Sequence, residues 1–147
     1  MTKSGADRPS AAVGALRAGI DLVRVSRINE SLAAFGDRFL RRLFTDDEIA
    51  YATASPAQMA ERLAARFAAK EAAKKALRVS NDDAIGWRQI EVRRDPSGAC
   101  DLLLHGEAAR VAGPCTTAVS LSHEGDFATA VVLIQGCAPA SSSLNPT

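Results

Sequence analysis

The stretch RLAARFAAKEAAKKAL, residues 62–77, decides the fold because it predicts the longest regular element of the chain. It consists mostly of strong helix formers, with no Gly or Pro and a single aromatic residue, Phe67. Alanines cover most of its surface, so another backbone can approach it closely. We therefore predict a long helix over residues 57–78. Basic residues recur at every fourth position and would form a ridge along it: Arg62, Arg66, Lys70 and Lys74.

Two interpretations of this helix are open at this point. In the first it is an alanine-rich packing helix whose charges are solvated. In the second the basic ridge binds phosphate, and Glu71 holds a metal ion beside it. An exposed Glu–Lys pair at this spacing contributes only ~0.2–0.5 kcal/mol, so helix stability alone does not require Glu71 and Lys75.

The composition indicates one ordinary globular domain of 147 residues, with 47% hydrophobic residues and a formal net charge of +1. The near-neutral charge and the 5% aromatic content argue against a nucleic-acid binder. Cys100, Cys115 and Cys137 lack CxxC spacing and predict reduced thiols rather than a disulfide framework or a zinc site. Without a signal-peptide pattern or a membrane-length apolar window, we expect a cytoplasmic protein with no membrane contact.

Residues 19–23, GIDLV, predict a short buried strand that contains one acid, Asp21. A carboxylate in that setting must be paired, hydrogen-bonded or bound to a cation. A helix-capping role for Asp21 is the alternative.

Two helices are predicted after this strand. Ser26 is the expected N-cap of the first, which would run to about residue 35. Thr45 and Glu48 fit a capping box, so the second should begin near residue 46. Arginines crowd the segment between the two helices. They would form a solvated face or dock an acidic partner.

The second half of the chain predicts strands over residues 87–93, 100–104, 116–122 and 127–134, with a short helix over 107–112. The sum is an α+β fold, in which an antiparallel sheet packs against one long helix and shorter helices. We expect a flexible leader over residues 1–17, one domain over 18–135 and a disordered tail over 136–147.

Three segments, in this order, resemble the holo-acyl-carrier-protein synthases, the short class of 4′-phosphopantetheinyl transferases. They are GIDLVRVSRI (residues 19–28), RFAAKEAAKKAL (66–77) and WRQIEV (87–92). The segment GDRFLRRLFTDDE (36–48) is also similar to that family, and the resemblance spans about residues 19–134. It implies an enzyme that moves the phosphopantetheine arm of coenzyme A onto a serine of an acyl carrier protein or carrier domain. Mg²⁺ takes part, and 3′,5′-ADP is the leaving group.

The resemblance also implies roles for individual residues. Asp21 and Glu71 would be the metal ligands, which requires two acids fifty positions apart to meet in space. This set suits Mg²⁺, which usually takes one or two carboxylates together with substrate phosphates and water. Glu71 or a metal-bound water would be the base. The coenzyme A contacts would be Lys75, at the pyrophosphate, then Lys70 and Arg66, with His123 either a further contact or a structural residue.

The family's carrier-binding position matches Arg27, and the remaining arginines would extend the patch: Arg38, Arg41 and Arg42. The family commonly forms trimers because the active site needs a neighbouring subunit, so a homotrimer is expected. Two segments depart from the family pattern: RVSNDDAIG (78–86) replaces a Gly-rich loop, and Gly98-Ala99-Cys100 replaces Gly-Lys-Pro. A non-catalytic module that binds coenzyme A or a carrier protein is the alternative function, although such a module has little use for two metal-binding acids.

Overall fold

The computed structural model describes residues 13–79 and 85–137. The strands are β1 (Val13–Arg24), β2 (Ile90–Arg94), β3 (Cys100–Leu104), β4 (Cys115–Glu124) and β5 (Phe127–Cys137). The α-helices are α1 (Val25–Phe35), α2 (Asp37–Leu43), α3 (Asp46–Thr53), α4 (Met59–Leu77) and α5 (Gly106–Ala112). Short 3-10 helices precede α4 (Pro56–Gln58) and β2 (Trp87–Gln89).

The strands form two antiparallel sheets. The larger has the order β1-β5-β4, and β2 pairs with β3 in a separate hairpin. Helix α4 packs against β1 and β5 and also contacts α1 and α3. The predicted α+β fold is confirmed. None of the helices in the described residues combines the length and the apolar composition needed to cross a membrane.

Helix α4 and strand β1 touch backbone to backbone at Gly19. A Cβ atom built on Gly19 would lie 1.8 Å from the carbonyl oxygen of Ala72, so no other residue type fits there without moving the helix. The alanines of α4 are almost fully buried and permit this approach: Ala64, Ala65, Ala68, Ala69, Ala72, Ala73 and Ala76.

Most of the predicted basic ridge is buried rather than solvated. Lys70 is completely buried, and Arg66 and Lys74 are nearly so. The ammonium group of Lys70 donates to Glu48 Oε1 (2.7 Å), to the Trp87 carbonyl oxygen (3.1 Å) and to the Ile90 carbonyl oxygen. Burial lowers the pKa of Lys70, and the paired carboxylate of Glu48 opposes that shift. Helix α4 is therefore a packing helix, as the first interpretation had it, but most of its basic ridge is buried and not solvated.

Several predicted boundaries differ from the structure. Strand β1 begins at Val13, so residues 13–17 belong to a strand paired with β5 and not to a leader. Residues 1–12 and 138–147, most of the predicted leader and tail, lie outside the described residues. The arginine-rich segment forms α2, which was not predicted. The strand predicted over residues 87–93 begins only at Ile90, and residues 87–89 form a 3-10 helix instead.

The two predicted helix caps had different outcomes. The capping box of Thr45 and Glu48 is confirmed at the start of α3. Ser26 is not an N-cap, since α1 begins one residue before it. Its amide and hydroxyl instead donate to the carboxylate of Asp126, at 2.8 and 2.6 Å. Asp126 lies in the turn between β4 and β5, far from α1 in sequence. Its carboxylate accepts the hydrogen bond from the helix N-terminus that the side chain of a local N-cap would otherwise accept.

Candidate functional site

The crossing of β1 and α4 brings together the two acids predicted as metal ligands. Asp21 is two residues beyond Gly19 on the same side of β1, and Glu71 precedes Ala72 on α4. Burial raises the pKa of Glu71, and the negative charge of Asp21 raises it further. The charges of the two carboxylates therefore interact at this crossing.

Lys75 joins the same site from one turn further along α4. Its ammonium group donates to Asp21 Oδ1 and to the Ile20 carbonyl oxygen, both at 2.9 Å. Its side chain is 55% exposed and that of Asp21 is 20% exposed, so both remain open to a ligand. Arg27, at the start of α1, also acts on Glu71, because its positive charge opposes the rise in the pKa of that residue.

The donor set at this crossing fits Mg²⁺. The described part of the chain contains no cluster of three or more His, Cys, Asp or Glu residues placed to hold a metal ion. Mg²⁺ does not need one, because two carboxylates suffice when a diphosphate and water complete its octahedral shell. Burial is the main cause of the raised pKa of Glu71 and the charge of Asp21 adds to it, and a divalent cation held by the two carboxylates would oppose both effects.

A second feature is a cavity of about 700 Å³ between α4, the β2–β3 hairpin and β4. Four of its lining side chains carry or can carry positive charge: Arg62, Arg66, Arg94 and His123. Glu61 also lines the cavity, and its Oε1 lies 3.3 Å from Nε2 of His123. This contact connects α4 with β4 across one wall of the cavity.

Tyr51 of α3 organises the arginines of this cavity. The guanidinium carbons of Arg62 and Arg66 lie 4.2 and 4.1 Å from its ring centroid. Arg94 donates to its hydroxyl at 2.7 Å. Arg66 is only 3% exposed, and its Nε has no hydrogen-bond partner within residues 13–79 and 85–137. A buried, unsatisfied cationic donor among other cations marks a place where an anion is favoured.

The predicted coenzyme A contacts are therefore not all in one place. Arg66 and His123 line the cavity, whereas Lys75 lies at the β1–α4 crossing. The prediction that Lys70 contacts coenzyme A is wrong, because its ammonium group is buried with three protein acceptors. Sequence reasoning missed Tyr51, Arg94 and Glu61 as cavity residues. Two cavity arginines, Arg62 and Arg94, were not predicted to contact coenzyme A. The sequence did mark Arg62 as part of the basic ridge, in which basic residues recur every four positions, but it gave no indication of a role for Arg94.

The predicted carrier-binding arginines are divided between three surfaces. Arg38 and Arg42 line a groove of about 400 Å³ whose other walls are largely aromatic and aliphatic: Phe35, Phe39, Leu43, Phe67 and Trp87. Arg41 lines a different groove together with Asp46 and Arg88. Arg27 lies close enough to Glu71 to affect its pKa. Only Arg38 and Arg42 therefore share a groove with an apolar floor.

Comparisons with known proteins agree on one family. A model of the 4′-phosphopantetheinyl transferase superfamily matches residues 17–132. The holo-acyl-carrier-protein synthase of Koribacter versatilis (strain Ellin345) is 45% identical over 123 residues, which are 82% of this chain and 98% of that protein. That of Nitratidesulfovibrio vulgaris (strain DP4) is 45% identical over 120 residues, 80% of this chain and 95% of that protein.

Solved structures give the same result. The ACPS-CoA complex of Chronobacterium ammoniagenes superposes with a TM-score of 0.74 at 35% identity, covering 83% of this chain and 98% of that one. A holo-acyl-carrier-protein synthase from Bacillus anthracis str. Ames in complex with CoA (3′,5′-ADP) gives 0.69 at 31% identity, covering 83% and 99%. The family match, the sequence relatives and the shared architecture establish that this chain belongs to the 4′-phosphopantetheinyl transferase superfamily.

Proposed function

We propose that this chain transfers the 4′-phosphopantetheine arm of coenzyme A to a serine of an apo acyl carrier protein or carrier domain and releases 3′,5′-ADP. The family membership supports an enzyme of this class, and its relatives in Koribacter and Nitratidesulfovibrio are named holo-acyl-carrier-protein synthases. The observation that carries the proposal is the meeting of Asp21, Glu71 and Lys75 where β1 crosses α4. Two carboxylates and an ammonium group at one open site suit a metal-bound diphosphate.

The chemistry assigns a task to each of these side chains. Asp21 and Glu71 would hold Mg²⁺, which neutralises charge on the diphosphate and its leaving group when it is bound. Lys75 would exchange its hydrogen bond with Asp21 for one to a phosphate oxygen. The carrier serine oxygen then attacks the phosphorus nearest the pantetheine arm, and the bond from that phosphorus to the bridging oxygen breaks as 3′,5′-ADP leaves. The serine proton goes to Glu71 or to a water molecule beside it.

The arginine cavity would receive the adenosine bisphosphate end of coenzyme A. Arg62, Arg66 and Arg94 supply positive charge with a fixed geometry because Tyr51 holds all three. The unpaired Nε of Arg66 supplies a buried donor. Guanidinium groups are suited to phosphate because their donors match the spacing of its oxygens.

We also propose that the active enzyme is a homotrimer with shared active sites. Arg66 and Glu71 are five positions apart on α4, about 140° around an ideal helix, so the cavity and the metal-binding acids face different directions. One coenzyme A molecule would reach both groups if a neighbouring subunit supplied one of them. The sheet face opposite α4 offers an apolar contact surface: Leu16, Ile20, Leu22, Val131 and Leu133 are all exposed. Light scattering should give three times the monomer mass, and Ile20→Asp should reduce it.

The carrier protein would dock at the groove between α1 and α2. Its apolar floor would accept aliphatic side chains, while Arg38 and Arg42 would face the acidic surface that such carriers typically present. Charge pairing of this kind mainly accelerates encounter and weakens as salt is added.

The decisive experiment incubates the chain with an apo carrier protein, coenzyme A and Mg²⁺, and follows the carrier by mass spectrometry. We expect the gain of one phosphopantetheine group per carrier, and no gain with a chelator. Glu71→Gln should abolish the gain while the far-ultraviolet circular dichroism stays unchanged, because the variant removes a metal ligand from a partly exposed position. A fully active Glu71→Gln enzyme would refute the assignment of the metal site. Coenzyme A binding without transfer to several carriers would favour the binding-module alternative.

A further inference from the structure

The arginine cavity contains a nucleophile that the proposed reaction does not use. Cys100, the first residue of β3, lines the cavity, and its thiol is free and partly exposed. The other cysteine whose side chain the structure describes, Cys115, also forms no disulfide, but it does not line this cavity. The two residues therefore differ in their surroundings and provide a matched pair.

The surroundings of Cys100 are strongly cationic. Arg62, Arg66 and Arg94 line the same cavity, and Glu61 is its only acidic lining residue among those described. Burial lowers the pKa of Arg66, while electrostatic interactions with Tyr51 and Cys100 oppose that shift. Cys100 is thus close enough to the guanidinium of Arg66 to interact with it. A thiolate is the reactive form of cysteine, and the guanidinium groups around this sulfur attract anionic reagents to it.

The cavity also carries an independent sign of an anionic ligand. Arg66 is 3% exposed and therefore 97% buried. Its Nε has no hydrogen-bond partner among the described residues. Because Arg66 and Cys100 line the same cavity, an anion held there by the guanidinium groups would lie near the thiol. A reagent with both a negative group and a reactive sulfur would be held by the arginines next to Cys100.

We propose that Cys100 is a modification site at which small disulfides bearing phosphate or carboxylate groups form a mixed disulfide. The Cys100 thiol releases its proton to solvent, and its sulfur attacks one sulfur of the reagent. The reagent S–S bond breaks, a new S–S bond forms to Cys100, and the second half of the reagent leaves as a thiolate. Cys100 is oxidised and the leaving half is reduced, so no other oxidant is needed. The adduct fills the cavity. On the proposed function, it therefore prevents the adenosine bisphosphate end of coenzyme A from binding there.

The test compares three disulfides on the full chain at low salt and neutral pH. Coenzyme A disulfide carries phosphates, glutathione disulfide carries carboxylates, and cystamine is cationic. Intact-mass and peptide mass spectrometry should show the adduct at Cys100, formed at least roughly tenfold faster with the two anionic reagents than with cystamine. Added salt should reduce this preference. A higher rate for coenzyme A disulfide than for glutathione disulfide would identify phosphate as the better-held group.

Variants distinguish the site from general thiol reactivity. Cys100→Ser should remove the fast adduct, and Cys115→Ser should leave it unchanged. Arg62→Gln should lower the preference for anionic reagents, since it removes one cavity charge. Equal rates for cystamine and the anionic disulfides, or a fast adduct that persists in Cys100→Ser, would overturn the proposal.

A second readout separates this proposal from the proposed function. Adduct formation is measured by mass and needs no transferase activity, so it can be observed even with an inactive chain. With an active enzyme, the adduct should reduce carrier modification severalfold in the parent chain and not in Cys100→Ser, and dithiothreitol should restore it. An adduct at Cys100 that leaves the transfer rate unchanged would overturn the proposed blockade.

Discussion

Replacing Gly19 by alanine tests whether the contact between β1 and α4 determines the active site. The added Cβ would lie 1.8 Å from the Ala72 carbonyl oxygen, and real Cβ atoms essentially never approach closer than 3.0 Å. The two backbones must therefore separate by at least 1.2 Å, the difference between these distances. Overpacking of this kind costs about 1–3 kcal/mol in free energy of unfolding. The same displacement moves Asp21 relative to Glu71, and a misplacement of about 1 Å can reduce a catalysed rate about 100-fold.

Urea unfolding followed by circular dichroism gives the stability change, and the carrier mass assay gives the rate. Gly86→Ala is the matched control, because the nearest atom to a Cβ at that position is Gln89 Nε2 at 3.9 Å. We expect the control to remain within about 0.5 kcal/mol of the parent chain with unchanged transfer. If Gly19→Ala were as stable and as active as that control, the inferred link between backbone contact and catalytic geometry would be refuted.

Three further predictions concern the buried pair, the α1 cap and the carrier groove. Lys70→Met should cost about 3–5 kcal/mol because it leaves the Glu48 carboxylate buried and unpaired; a thermal shift of only a few tenths of a degree would contradict this. The hydrogen bonds from Ser26 hold the pKa of Asp126 below its ordinary 3.8, so its stabilising contribution is present above pH 3.8 and is lost as pH falls through the lower folded value. Asp126→Asn should remove that part of the acid dependence, as measured by melting temperature against pH. Arg42→Glu should raise the carrier KM more than Arg41→Glu does, with kcat nearly constant, since only Arg42 lines the apolar groove.

The proximity of Asp21 and Glu71 could be predicted from the sequence, but the side of α4 that is buried could not. A four-residue period fixes the positions of Arg66 and Lys70 relative to each other but does not orient them toward solvent or core. An alanine-rich helix lacks the bulky apolar stripe that normally settles this question. The acceptors that stabilise Lys70 inside the protein come from Glu48 and from the carbonyl groups of Trp87 and Ile90, all far from it in sequence. No local pattern reveals such partners.

The capping box and the meeting of the two acids could be predicted for different reasons. The box is local, because Thr45 and Glu48 are three residues apart and their types alone specify the bonding. The convergence of Asp21 and Glu71 came from the family resemblance. For the arginine cavity, the resemblance pointed only to Arg66 and His123, and no local pattern pointed to the rest. Tyr51, Arg66 and Arg94 come from three separate elements, so their association depends on tertiary packing.

The pairing of β1 has a consequence for how the chain acquires its structure. Among the described residues the only strand paired with β1 is β5, in which Ala130 lies opposite Asp21. The N-terminus of α1 likewise depends on a hydrogen bond to Asp126, which lies 100 positions downstream of Ser26. Contacts this distant in sequence close slowly, because the intervening chain must be ordered first. Asp21 therefore reaches its position beside Glu71 only after β5 has been synthesised and has paired with β1, and a chain truncated before β5 would lack this arrangement of acids.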